Sequence, residues 1–366
     1  MPLQDVDWGA SDRVDEYHFE LVDPFTLATI TRLDSVYGAS SLTWAYDSDT
    51  GLQGTLDLGE GDYLQGGYHR MVRVIHDVTV GGRSVRETMG TLFVANVTND
   101  VVCGRSSRAL TCYGPLWRYT QDVLPEDFSR AVGTNVVQNI RDLVESVGGK
   151  LRVMDGVNDQ RTNTVAKFFP VGTNLAEVLR TYAGWLNAEI RGGDDGTIEL
   201  LHYESYADRS PVYTFADGTA SIATEGVKWE TNRDEPINRV VAYFSRESKQ
   251  KDDTFPLSDS CYIDLPESAS VSYERCGRRR TQVVQVTEPC SHADLIAQAQ
   301  RAMDQSSAAY LDITFDHAGV PGLRAGDCVH VVNSAAEIDA NFVILQMRVS
   351  ALLPGCPTQS KMRMVR

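Results

Sequence analysis

The sequence predicts a β-rich α+β protein made of a β block, a mixed α+β block and an interrupted second β block. Three observations predict it. Apolar and polar residues alternate along segments of the first 120 or so positions, the apolar spacing turns helical after Pro125, and alternation returns from Val227 onward. A length of 366 residues suits two to three domains, and 42% hydrophobic with 23% charged residues is a globular composition.

In the first block, Tyr17, Phe19 and Leu21 mark one face of a strand, and Leu42, Trp44 and Tyr46 mark another. A turn at Asp47–Gly51 leads to Leu52, Leu56 and Leu58. Met71–Val80 and Val85–Val97 form a hairpin around Gly81-Gly82, where both residues adopt positive φ without steric cost. Antiparallel strands with short turns suggest a small barrel or sandwich.

In the middle block, Val136, Val137, Ile140, Leu143, Val144 and Val147 fall at helical spacing, with Thr134 as the expected N-cap and Gly148-Gly149 as the stop. A second helix starts near Thr173 or Asn174 and carries Leu175, Val178, Leu179, Tyr182 and Leu186 on its apolar face. Ala188–Arg191 and Thr197–Tyr203 then flank the polar turn Gly192–Gly196. β character resumes at Val227–Trp229 and Asn238–Phe244, and the polar stretch Ser245–Thr254 reads as the rim of an insertion. Ser291–Ala302 reads as a third helix, opened by a capping box of Ser291 and Asp294. Leu311, Ile313 and Phe315 share one face, Val329 and Val331 follow the turn Pro321–Asp327, and Phe342–Val349 is the closing strand.

The formal charge of -16, from 50 acidic and 34 basic residues, argues against a grip on nucleic acid or anionic lipid. It is compatible with DNA passing without sticking, and plain solubility explains it equally. Seven cysteines, none in a C-x-x-C pair, read as reduced thiols, not as a zinc cluster or a disulfide framework. Acidic residues stand where a signal peptide is basic, and no stretch approaches the roughly 18 apolar residues of a membrane span. Exit from the producing cell is therefore expected by assembly or lysis.

No motif identifies a catalytic centre. There is no G-x-S-x-G elbow and no H-E-x-x-H, and the seven histidines are scattered, most in or beside strands. Asp47, Asp49 and Asp57 gather around a turn and have oxygen ligands to offer a calcium ion, but the full loop pattern is missing and a solvated hairpin tip explains them better. Asp194-Asp195-Gly196 reads as turn chemistry in the same way. Gly59-Glu60-Gly61 with Gly66-Gly67 lacks the lysine of a phosphate loop, and Glu60 and Asp62 would repel phosphate. The one basic run, Arg278-Arg279-Arg280 with Arg275, has Tyr273 as its only close aromatic neighbour and reads as an exposed loop, or a patch for an acidic protein neighbour, better than as a nucleic-acid contact. No catalytic residue, metal or cofactor is expected.

A series of phrases in order does carry a resemblance. Tyr17–Pro24, Ser41–Trp44 and the strand Gly90-Thr91-Leu92-Phe93-Val94 come first. Asn174–Tyr203 follows as a helix and short hairpin, then Ile237-Asn238-Arg239-Val240-Val241, the helix Asp294–Met303, and Pro321–Val329 with its G-D turn. Over roughly 330 residues this series resembles the central hub proteins of phage-type tails.

The resemblance implies two small β-barrel domains per chain joined by α+β domains: a first barrel over 1–120, an α+β domain over 121–222 and a second barrel over 223–252 and 308–353. An inserted domain with a helix would cover 253–307 and a tail 354–366. It further implies a homotrimer, with no enzymatic activity, that joins a six-fold tail tube to a three-fold spike or fibre at the tail tip or baseplate of a virion assembled in the host cytoplasm. Partners would be the tail tube or distal tail protein, a spike, fibre or receptor-binding subunit, and the tape measure protein, with no membrane. DNA would pass without specific binding along a channel faced by some of Asp47, Asp49, Asp57, Glu60 and Asp62. Many hubs of siphophages on Gram-positive hosts continue into a fibre or peptidoglycan-cutting domain; this chain stops at Arg366, so those tasks are expected in another subunit. A wall-degrading or carbohydrate-active hydrolase and a β-rich receptor-binding module remain the alternative readings.

Overall fold

The computed structural model describes residues 6–34, 36–46, 48–58, 70–102, 105–164, 166–218, 221–223, 226–231, 237–245, 256–269, 271–286, 290–306 and 311–365. The first block holds β1 (Val14–Val22), β2 (Thr29–Leu33), β3 (Val36–Ala45), β4 (Leu52–Leu58), β5 (Met71–Val80), β6 (Arg83–Val102) and β7 (Arg105–Tyr113). They pair antiparallel in the order β2-β1-β5-β6-β7-β4-β3. Val80 pairs with Arg83, so Gly81 and Gly82 are the two loop residues, at φ 56° and 72°. Only the positive-φ turn matches the right-handed twist of the flanking strands, which is why the dipeptide announces the hairpin.

The middle block contains α1 (Trp117–Thr120), β8 (Phe128–Arg130), α2 (Val136–Ser146), β9 (Leu151–Val153), β10 (Lys167–Phe169), α3 (Leu175–Trp185), β11 (Ala188–Gly192) and β12 (Ile198–His202). Ile140, Val144, Leu179 and Tyr182 bury the apolar faces of α2 and α3 in a core of their own. The N-cap of α2 is Asn135, not Thr134: the Asn135 side chain accepts from the Gln138 N–H at 2.9 Å, while the Thr134 hydroxyl donates to the Ala131 carbonyl. Thr134 lies one residue too early to reach the open N–H groups of the first turn. Gly148, at φ 78°, ends the helix where expected.

The chain then forms β13 (Tyr213–Phe215) and β14 (Lys228–Thr231), followed by β15 (Arg239–Ser245), β16 (Ser258–Asp264), α4 (Tyr273–Cys276), β17 (Thr281–Gln285) and α5 (His292–Ser306). The last strands are β18 (Leu311–Ala318), β19 (Cys328–Asn333), β20 (Ile338–Val349) and β21 (Pro357–Met364). Ser291 opens α5 as a reciprocal cap: its N–H and hydroxyl donate to the Asp294 carboxylate, and the Asp294 N–H donates back to its hydroxyl.

Three features differ from the expectation. The two β blocks are halves of one 13-stranded sheet, joined where β3 pairs with β20, Trp44 opposite Met347 and Leu42 opposite Val349. A single core runs through both halves, from Leu56 and Leu110 to Phe342 and Met362. Arg239–Ser245, expected in the second barrel over 223–252, is instead the centre of a separate three-stranded sheet, antiparallel to β16 and parallel to β17. Alternation reports one buried face and not which sheet buries it. Positions 354–366, expected as a tail, contain β21, which lies between β18 and β20. Its inward residues include the buried Thr358 and Ser360 beside Met362, so its period is written in polar residues.

Leu42 is fully buried on the strand that joins the halves. Leu42→Ala is expected to destabilise the protein by about 2–5 kcal/mol through the cavity it leaves. A urea titration checks this as a lower midpoint at unchanged slope.

Candidate functional site

The three blocks meet at a joint of buried charges. Arg13, just before β1, contacts Asp15 at 2.8 Å and donates to the Gly319 carbonyl at 2.8 Å. Asp15 also accepts from His76 Nε2 at 2.8 Å and from the Gly355 N–H at 2.7 Å. The Tyr17 ring stacks on the imidazole, with centroids 4.6 Å apart. His76 Nδ1 lies 3.5 Å from Glu87, which lies 3.5 Å from Arg324 and accepts from the Gly322 N–H. Arg324 reaches Asp194 in the β11–β12 turn at 2.8 Å and donates to the Thr88 carbonyl at 3.1 Å. Arg13, Asp15, His76 and Glu87 come from the first block, Asp194 from the middle block and Arg324 from the β18–β19 turn.

Burial alone would raise the Asp15 carboxyl, but hydrogen bonds from His76 and Arg13 outweigh it and hold the pKa at about 2. Burial alone would lower His76, yet its contacts with Asp15 and Glu87 raise it above the ordinary histidine value. Burial likewise works to raise Glu87, and His76 and Arg324 hold it below the ordinary range. The His76 side chain is 1% exposed. Enclosed between Asp15 and Glu87 and shut off from solvent, the His76 ring ties β1, β5 and β6 together. His317 differs: burial depresses it to about 4, and it sits neutral between the Ala318 carbonyl and the fully buried Ser360 hydroxyl, each at 2.8 Å.

A second set of contacts flanks the joint. The Tyr46 hydroxyl donates to Glu189, and Arg209 donates to the Tyr46 oxygen at 2.8 Å and to the Gly326 carbonyl at 2.6 Å. Beside them opens a cleft of about 430 Å³, lined by residues that include Trp44, Asp49, Arg180, Arg191, Glu199 and Arg301. Two ion pairs lie along its walls, Arg180 with Asp49 at 2.8 Å and Arg191 with Glu199 at 3.0 Å, while Arg301 donates to the Ala188 carbonyl. The cleft is the seam between sheet and α+β block.

The acids singled out in the sequence do not gather there. Asp49 precedes β4 and pairs with Arg180, whereas Asp57 lies at the far end of β4, half-buried, with its N–H donating to the Ser40 hydroxyl at 3.0 Å. The seven residues of β4 span about 20 Å, so these two carboxylates form no cluster. Asp47, Glu60 and Asp62 lie outside the described residues, as does the glycine-rich segment 59–67. Among the described residues no three His, Cys, Asp or Glu side chains come together as metal ligands, and no helix is long and apolar enough to cross a membrane. Asp194, read from sequence as turn chemistry, is a partner in the joint, while Asp195 caps the turn by accepting from the Thr197 N–H at 3.0 Å. One local sign of the joint was present: His76 interrupts the apolar run of β5, where a charge needs a buried partner.

Arg324→Ala is expected to cost about 3–5 kcal/mol, because it strips Asp194 of its ion-pair partner and leaves Glu87 with His76 alone. Chemical denaturation of the variant measures it. His76 binds its proton more firmly folded than unfolded, so its contribution is complete below about pH 6.5 and is lost as the pH rises through its folded value. Asp15 behaves oppositely: its contribution is present above about pH 4 and is lost as the pH falls through about 2. The stability gap between the wild type and His76→Gln should therefore be full below about pH 6.5 and narrow as the pH rises above it, read from urea midpoints at each pH.

The sequence matches no protein-family model and no curated protein. Solved structures do match. The tail protein from Neisseria meningitidis MC58 is 15% identical, with 95% of this chain and 96% of that one covered at a TM-score of 0.61. The prophage tail protein gp18 from Listeria monocytogenes EGD-e is 12% identical, with 94% of each chain covered at a TM-score of 0.61. The E. coli c3393 protein, a type VI secretion component described as structurally similar to the T4 bacteriophage tail proteins gp27 and gp5, is 7% identical, with 91% and 75% covered at 0.51. At these identities the likeness is one of fold: the chain has the β-rich, hub-like α+β fold of phage tail proteins, as the ordered phrases in the sequence anticipated.

Proposed function

We propose that this chain is a structural hub of a phage-type tail. The observation that carries the reading is the end-to-end likeness: 95% of this chain aligns with 96% of a tail protein, so the likeness of fold is not confined to one module. Three chains would close into a ring. One side would meet the six-fold tail tube or a distal tail protein, the other a three-fold spike, fibre or receptor-binding subunit, with the tape measure protein as a further neighbour in the virion tail. A ring that transmits load between two symmetries needs rigid subunits, and the Arg324 joint locks the three blocks of one chain together. The role assigned is adaptor and conduit, without catalysis.

DNA carries about one charge per 1.7 Å of axis, and an acidic wall lets it slide where a basic one would hold it. Asp57, Glu60 and Asp62 are the acids proposed to face such a channel, together with Asp47 and, less effectively, Asp49, whose charge Arg180 offsets.

Light scattering with negative-stain imaging of the purified chain tests the hub. The expected result is a ring of three chains of 40.4 kDa each with a central hole; a monomer at every concentration, with and without partner tail proteins, overturns it. Reversing Asp57, Glu60 and Asp62 to lysine should slow DNA delivery by assembled particles while the ring persists. Unchanged delivery removes these acids from the channel.

A further inference from the structure

The inserted module has one face committed and one face bare. Val240, Ala242 and Phe244 of β15 pack on Leu295, Ala299 and Met303 of α5. The residues between them point the other way, and the register sets Tyr262, Val241 and Val283 in one row across β16, β15 and β17. Tyr262 is 64% exposed and Val283 61%. The Arg239 guanidinium lies 4.5 Å above the Tyr262 ring.

The basic run singled out in the sequence forms the rim of this face. Arg275, Arg278 and Arg279 are exposed, with Arg279 stacked 4.4 Å over Tyr273. Their loop is pinned from inside. The buried Asn238 side chain accepts from the Arg280 N–H at 2.8 Å and donates to the Arg278 and Val271 carbonyls at 2.9 and 3.1 Å. Arginines displayed on a fixed backbone around a tyrosine–valine row are the residue types that dominate protein–protein hot spots.

The α+β block carries the complementary surface. Phe168, Val171 and Val123 are 57%, 60% and 46% exposed. They are brought together by the β8–β10 pairing and by the Gly172 N–H donating to the Leu124 carbonyl at 2.9 Å. Asp122, Glu126 and Asp127, all exposed, surround them. Lys167 is turned to the opposite face of β10, over the Phe169 and Trp185 rings.

These surfaces cannot meet within one chain. α5 lies between the inserted sheet and its own α+β block: Asp294 pairs with Arg161 at 2.8 Å, and Arg301 donates to the Ala188 carbonyl at 2.9 Å. The bare face therefore looks away from the acidic patch beside it. We infer that the Tyr262–Val241–Val283 face with its arginine rim docks on the Phe168–Val171–Val123 patch with its acidic rim on a second copy of this chain. Such a contact is heterologous, the kind that repeats from copy to copy until a ring closes. It rests on the ring reading above and names the surfaces that build it.

Light scattering of the full chain at low and high salt tests it. Arg275→Glu with Arg279→Glu on one surface, or Asp122→Arg with Glu126→Arg on the other, is expected to raise the dissociation constant roughly a hundredfold. Combining all four changes in one chain should restore assembly. Tyr262→Ser is the uncharged probe of the same face, and an unaltered thermal midpoint establishes that each variant folds. Variants that assemble as the wild type does overturn this contact and leave the hub reading standing. A wild type that never assembles, alone or with tail partners, overturns both. Duplex DNA bound by the wild type and lost in Arg275→Glu/Arg279→Glu, with assembly unchanged, would assign the arginine rim to nucleic acid instead.

Discussion

The arrangement of this molecule depends on one guanidinium. Arg324 extends from the turn before β19 and meets Glu87 of the first block and Asp194 of the middle block. Glu87 in turn faces His76, which hydrogen-bonds Asp15, which is held by Arg13. A buried charge costs several kcal/mol of desolvation, recovered only when partners stand in the right places. The chain of ions therefore tolerates little relative movement of the blocks that supply it. Apolar contacts alone would let them slide, because the hydrophobic effect has no direction.

Backbone and side-chain hydrogen bonds reinforce the same seam. Turns of the second β half present Gly319, Gly322 and Gly355 to Arg13, Glu87 and Asp15. Tyr46 and Arg209 repeat the device on the other side, tying β3 to Glu189 and Gly326. Together with the β3–β20 pairing these contacts make one body of two β halves and an α+β block. The cleft beside them carries two of the chain's own ion pairs along its walls.

The inserted module is built on another principle. It closes its own small core between β15 and α5, and among the described residues Tyr262 and Val283 on the far face of its sheet stand exposed. A bare tyrosine–valine row on a pinned frame is costly to expose to water and useful at a contact. The buried joint and this exposed face are therefore built from different residues.

What the sequence determined by itself is whatever a few neighbouring residues decide. Gly81-Gly82 turns its hairpin, Gly148 stops α2 and Ser291 with Asp294 opens α5, because turn and cap chemistry acts over two to four positions. The ordered phrases from Tyr17 to Val329 carried the fold class for the same reason, each being one strand, turn or helix. Only the tertiary structure decided which strands meet. Arg239–Ser245 alternates equally well for either sheet, and β21 hides its inward face in Thr358 and Ser360, the latter bonded to a histidine 43 residues away. The joint was illegible for the same cause: Arg324 finds its carboxylates 130 and 237 residues earlier in the chain, and pairing across such separations is set by folding and not by spacing.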